Sequence, residues 1–191
     1  MLDALIQHQA NAYRASTALV NEMNKQFTTE SNAFVSSLRD ILDDLTESEK
    51  RALTAGKYNT DRLKDFKQAF DDWYASIAVS LPDLFVASAA AYVAIESGFI
   101  AKIYDGVADI TADKVVDRFK TTPVASGALF NELFKDLAQS ARNQALYAIR
   151  EGINSGLTNQ EIIAELRGKR TKVGDSYEYV GGIVEQAKNK I

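Results

Sequence analysis

The side chains able to do chemistry are few and scattered. One histidine, His8, stands in a chain of 191 residues that has no cysteine, so a histidine dyad, a thiolate nucleophile and a Cys/His zinc site are not expected. His8 falls at helical spacing among ordinary N-terminal residues, and surface exposure is its expected state. Two carboxylate pairs, Asp43-Asp44 and Asp71-Asp72, have the right residue type for metal or acid–base work. Neighbours on a helix point about 100° apart, however, and do not converge on one ion or one sugar. Neither pair lies in the oxygen-rich loop of an EF-hand. P-loop, dinucleotide-binding glycine and Gly-x-Ser-x-Gly patterns are missing. With no nucleophile, base and stabiliser in one set, the expectation is a protein that is not an enzyme, takes no cofactor or metal, and works by binding.

The compact basic stretch is Gly168-Lys169-Arg170-Thr171-Lys172-Val173-Gly174-Asp175. Read as a turn, it suits nucleic-acid phosphates or an acidic partner surface. Flanked by Glu165, Asp175 and Glu178, it equally suits a solvated turn. The formal net charge of −4 argues against a general nucleic-acid binder, which needs clustered Lys and Arg. The absence of cysteine fits a reducing cytoplasm, and Met1-Leu2-Asp3-Ala4-Leu5 lacks the basic start and apolar run of a secretory signal.

Helices must position these groups. The chain is 46% hydrophobic and 25% charged with two prolines, Pro82 and Pro123, which predicts an all-α protein. Its expected form is an elongated helical bundle with a long N-terminal helix, a small C-terminal helical module and room for a minor β-hairpin. From Leu2 to Leu45 apolar residues recur at threes and fours, and with no proline or glycine before Gly56 one long first helix is expected, polar gaps around Gln9, Ser16 and Glu30 leaving room for a break near Thr28-Thr29. Thr46 and Glu49 form a capping box opening a short helix that ends near Ala55-Gly56. After Lys57-Tyr58-Asn59-Thr60, a third helix carries Leu63, Phe66, Phe70, Trp73, Tyr74 and Ile77 toward a core.

Leu81-Pro82 is expected to mark a break, a kink or the first turn of a new helix. The next segment, Leu84 to Tyr104, is apolar on all sides apart from Glu96 and Lys102. A central bundle helix is its favoured reading, a bilayer-inserting element the second. Ala87, Ala91 and Ala94 would permit close packing on a neighbour. Asp105-Gly106 ends it, Thr111 caps a helix over Ala112 to Lys120, and Thr121-Thr122-Pro123 divides residues 1–122 from a module at 123–191. Ser126-Gly127 opens the long helix of that module.

The most distinctive segment runs from Ala145 to Arg167. A helix stops at Gly156, and Thr158 with Glu161 caps a new one that presents Ile162, Ile163 and Leu166. Tyr177 and Tyr179 suit one arm of a hairpin with the Arg167 to Val173 side. A helix reading into Ile149-Arg150-Glu151-Gly152-Ile153-Asn154-Ser155-Gly156-Leu157-Thr158-Asn159-Gln160-Glu161, then a basic turn and a further helix, resembles the head morphogenesis family of tailed bacteriophages, the Mu-type minor head proteins. The similarity is clearest over Leu129 to Lys188. It departs from the family at the C-terminus: the Arg-Thr-Glu element and the Trp- and Cys-containing region beyond it are missing, and a helix over Val180 to Lys190 stands there instead, as in a shortened relative.

The resemblance implies a structural virion protein, made in the host cytoplasm and oligomeric in the virion. It would join portal or capsid protein and aid head assembly, genome packaging or DNA ejection. Gly152, Gly156, Thr158, Glu161, Arg167, Lys169, Arg170 and Lys172 are the expected partner contacts, with the open face of the first helix. Nucleic-acid contact is secondary. The alternative is an ejected internal protein that inserts the Leu84 to Tyr104 helix into the host envelope.

Overall fold

A computed structural model describes residues 2–104, 111–174 and 176–189. The element order is α1 (Leu2–Asp44), α2 (Glu47–Thr54), α3 (Asp61–Tyr104), α4 (Ala112–Thr121), α5 (Phe130–Asn154), α6 (Asn159–Arg167), β1 (Gly168–Val173), β2 (Ser176–Gly181) and α7 (Ile183–Lys188). Among the described residues the protein is all-α apart from one antiparallel hairpin, in which Gly168 pairs with Gly181 and Val173 with Ser176.

The contacts divide the chain into two compact units, each discontinuous in sequence: Met1–Gln26 with Val79–Phe134, and Phe27–Ala78 with Lys135–Ile191. This differs from the expected split at residue 122/123. Because α1 and α3 each contribute to both units, a boundary sought in linkers could not find the division.

Helix boundaries follow from local backbone chemistry. α1 is the expected long helix and runs through Thr28-Thr29 without the break that its polar gaps allowed, since threonine costs only a few tenths of a kcal/mol per residue in a helix and neither Gly nor Pro is present to stop it. α3 runs through Pro82. A proline inside a helix removes one hydrogen bond and costs about 3 kcal/mol, but Leu81 and Pro82 are both buried, and that burial offsets part of the loss. α5 begins at Phe130, not at Ser126-Gly127, because those residues close a turn. Gly127 N–H donates to Val124 O at 2.8 Å and Val124 N–H to Ala128 O at 2.9 Å. The expected helix over Val180 to Lys190 begins only at Ile183, as Val180 and Gly181 belong to β2. The Asp105-Gly106 stop lies outside the described residues.

The unit formed by residues 27–78 and 135–191 holds the core. Phe27, Phe34, Leu38 and Leu42 of α1 recur at helical spacing and are buried, as are Leu63, Phe66, Phe70, Trp73 and Ile77 of α3. Phe34 stacks on Trp73 with ring centroids 4.3 Å apart and meets Phe70 edge-on at 4.8 Å. The Trp73 indole N–H donates to Ser31 Oγ at 3.2 Å. α5 turns a face of Ala138, Ala141, Ala145, Ala148 and Ile149 inward.

The other unit is built differently. Its buried hydrophobic side chains among the described residues are Met23, Leu81 and Phe130. Phe85 packs on Phe130 at 4.3 Å and on Phe119 of α4 at 5.9 Å. No residue of α3 from Asp83 to Ile103 is buried. The favoured reading of this stretch as a central bundle helix is therefore corrected: the packing supplies no set of neighbours that encloses it.

Candidate functional site

The segment from Ala145 to Arg167 lies wholly in the core-bearing unit, and local chemistry determines its shape. At the end of α5, Leu157 N–H donates to Gly152 O at 2.9 Å and Gly156 N–H to Ile153 O at 3.1 Å, the pair of bonds that defines a Schellman stop. Gly156 has φ of 74°, which a side chain makes costly. One residue later Thr158 caps α6: its Oγ1 accepts from Glu161 N–H at 3.2 Å, and the Glu161 carboxylate accepts from Thr158 N–H at 2.8 Å. That backbone hydrogen bond holds the Glu161 carboxyl below the usual carboxylate range.

Gly152 works by its missing side chain. It is buried, and a Cβ built on it would lie 2.7 Å from Ile162 Cγ1. The two helices of the corner meet where only a hydrogen fits. Asn159 ties the start of α6 to the end of α1, donating to Leu42 O at 2.9 Å and to Asp43 Oδ1 at 2.7 Å. Gly152, Gly156, Thr158 and Glu161 thus build the corner, and their polar groups serve the two helix ends.

Arg167 is engaged as well. Its Nη2 donates to Ser36 Oγ of α1 at 3.3 Å, and its guanidinium carbon sits 5.1 Å from the centre of the Tyr179 ring, within range of a cation–π contact. The expected basic turn is a strand: Lys169, Arg170 and Lys172 lie along β1, with Gly174 at the reversal and Asp175 outside the described residues. All three cations are exposed. Strand alternation puts Arg170 and Lys172 on one face and Lys169 on the other, with Arg170 opposite Tyr179 and Lys172 opposite Tyr177 in the ladder. α6 packs on both strands and on α7, so corner and basic strand form one body.

Several carboxylates have structural partners. Asp71 accepts from Lys67 and, at 2.6 Å, from Arg142 of α5. The Lys67 hydrogen bond, followed by Arg142, lowers its carboxyl below the usual range. Asp43 is taken by Asn159. Glu49 is the most heavily served acid. It accepts from Thr46 N–H at 2.9 Å and from Thr60 Oγ1 at 2.8 Å, and Arg62 stands 3.4 Å away. The Thr46 backbone bond leads these in lowering its carboxyl to about 2. Among the described residues no three His, Asp or Glu side chains gather around a possible metal position.

His8 is not a free surface side chain. In the other unit its Nε2 lies 2.9 Å from both oxygens of the Glu96 carboxylate, and its ring stacks on Phe99 at 3.8 Å and 2°. Beside this pair is an apolar groove of about 660 Å³ between α1, α3 and α4, lined by Leu19, Phe85, Val93, Val115 and Phe119 with Tyr92 and Glu96. Sequence spacing could not reveal the pair, whose members stand 88 positions apart. Compared with known proteins, the chain matches no family model, no curated protein and no solved structure.

Proposed function

We propose that this protein is a structural component of a phage virion, a minor head protein that acts by binding the portal or capsid protein and oligomerises there. The reading joins the family resemblance of the Leu129 to Lys188 segment to one observation. The corner and the basic strand are a single packed body on which Lys169, Arg170 and Lys172 are exposed. A chain of net charge −4 that gathers three cations on one short strand offers an acidic ring or shell a local attachment without attracting nucleic acid at large. The corner's own residues, Gly152, Gly156, Thr158 and Glu161, would hold that strand in place, while Arg167 anchors its root through Ser36 and Tyr179.

The test is co-sedimentation of the purified chain with portal rings and with capsid protein from its source. Saturable binding is expected, weakened when Lys169, Arg170 and Lys172 are all changed to Glu. Binding that ignores this triple change, or no binding to either assembly, would remove the proposal.

A further inference from the structure

The apolar half of α3 is a surface without a protein neighbour to enclose it. Among the described residues α3 is long and apolar enough to cross a bilayer, and none of the residues of its apolar window is buried. A soluble core helix passes the same compositional test, but it does so by being covered. Residues 84–103 span about 30 Å at the helical rise of roughly 1.5 Å per residue, which matches a hydrocarbon core of about 30 Å. On its open side Ala87, Ala91, Ala94, Ile95 and Ala101 are exposed, and a Cβ placed on Gly98 would meet nothing within 4 Å.

The two charges in the stretch are disposed as a bilayer requires. Lys102 lies at its C-terminal end, where a long stem reaches the headgroup layer. Glu96 lies within it and has His8 at 2.9 Å as a counter-ion when the imidazole is protonated, so the carboxylate need not enter hydrocarbon unpaired. Both partners are only partly exposed, at 17% and 26% of the side chain.

We infer that residues 84–103 of α3 insert into the hydrocarbon of a lipid bilayer. Span length, an uncovered face at Ala87, Ala91, Ala94, Ile95 and Ala101, and an internal carboxylate held against His8 support the same occupant. The inference does not rest on the head-protein reading, because portal binding tests β1 and bilayer binding tests α3.

The experiment uses the full chain and phosphatidylcholine vesicles in a flotation gradient. The chain has no cysteine, so Ala91→Cys provides a single site for an environment-sensitive dye, with nitroxide-labelled acyl chains as the quencher. The expected result is flotation resistant to alkaline extraction, together with quenching of the dye at position 91. Ala91→Asp, on an exposed position, should leave the circular dichroism spectrum unchanged and lower partitioning about a hundred-fold, the effect of one carboxylate near the middle of a span. Ala75→Asp, on an exposed position of the same helix outside the stretch, should bind as the unmodified chain does. Three results would overturn the inference: no flotation, equal binding by the two aspartate variants, or a solution oligomer in which position 91 is shielded from dye by a second copy.

Discussion

Gly152→Ala is a substitution whose sign tests the corner. In an open helix, exchanging Gly for Ala stabilises by about 1 kcal/mol, because alanine loses less backbone freedom on folding. Here the new Cβ would stand 2.7 Å from Ile162 Cγ1, 3.3 Å from Ile162 Cδ1 and 3.5 Å from Leu157 Cδ1. Ile162 is fully buried, and Cγ1 is one bond from its own Cβ, so no swing of a flexible tip relieves the clash. Overpacking of this kind costs about 1–3 kcal/mol. Set against the propensity gain, the net effect is a loss of up to about 2 kcal/mol, centred near 1. In urea this lowers the midpoint while leaving the slope unchanged.

The second arm makes the reasoning refutable. Ile162→Ala alone should cost about 2–5 kcal/mol through the cavity it leaves. In that background Gly152→Ala meets open space and should stabilise by about 1 kcal/mol, recovering its helical preference and filling part of the void. The same substitution thus changes sign between backgrounds, with a coupling of about 1–3 kcal/mol between the two positions. If Gly152→Ala stabilises equally in both, α5 and α6 do not meet at this point and the account of the corner fails.

Three further outcomes are expected. Gly156→Val, at φ of 74° with no side chain nearby, pays strain of about 1–2 kcal/mol without a clash. Far-UV helicity should hold while portal or capsid binding falls, and unchanged binding would separate the corner from the proposed function. Glu49 has its folded pKa lowered from 4.5 to about 2, so its contribution is fully present above pH 4.5 and is lost as pH falls toward 2. The stability gap between the unmodified chain and Glu49→Gln should shrink over that window, and a gap independent of pH would refute the assignment. Ser31→Ala leaves the buried Trp73 N–H without its 3.2 Å acceptor, at a cost of about 1–3 kcal/mol. Trp73 is the one tryptophan, so its emission should shift as the urea midpoint falls, and an unmoved midpoint would argue against the bond.

What the sequence made legible was local. Both capping boxes are contacts between residues i and i+3, and the glycine stops at Gly56 and Gly156 depend on one backbone angle each. The aromatic face of α3 follows from the helical period, and its members from Leu63 to Ile77 are buried, with Tyr74 half-covered. What escaped was set by distance along the chain. Trp73 finds Ser31 42 positions away, Arg142 finds Asp71 across 71, and His8 finds Glu96 across 88. No periodicity encodes such partners, so nothing pointed from Asp71 to Arg142, and His8 read as an exposed side chain. Of the break, kink or first turn expected at Pro82, the break and the first turn are not found. The rule that proline ends a helix concerns one residue's cost, whereas α3 is 44 residues long in all and its many other hydrogen bonds outweigh one missing donor.

The two units differ in how far each satisfies its own physical demands, and this makes the two functional ideas separable. In the unit of residues 27–78 and 135–191, the apolar faces close on Phe34, Phe70, Trp73 and Ile149. Glu49, Asp71 and Glu161 are held by caps or ion pairs, and Lys169, Arg170 and Lys172 are exposed along β1. In the unit of residues 1–26 and 79–134, an apolar helix keeps one face open at Ala87, Ala91, Ala94, Ile95 and Ala101, and its internal carboxylate lies 2.9 Å from His8. Water is a poor neighbour for that helix, and a bilayer or a tightly fitted protein groove is a better one. Ala91→Asp should therefore spare portal and capsid binding, while charge reversal at Lys169, Arg170 and Lys172 should spare vesicle binding. If either change abolished both activities, the assignment of one activity to each unit would have to be abandoned.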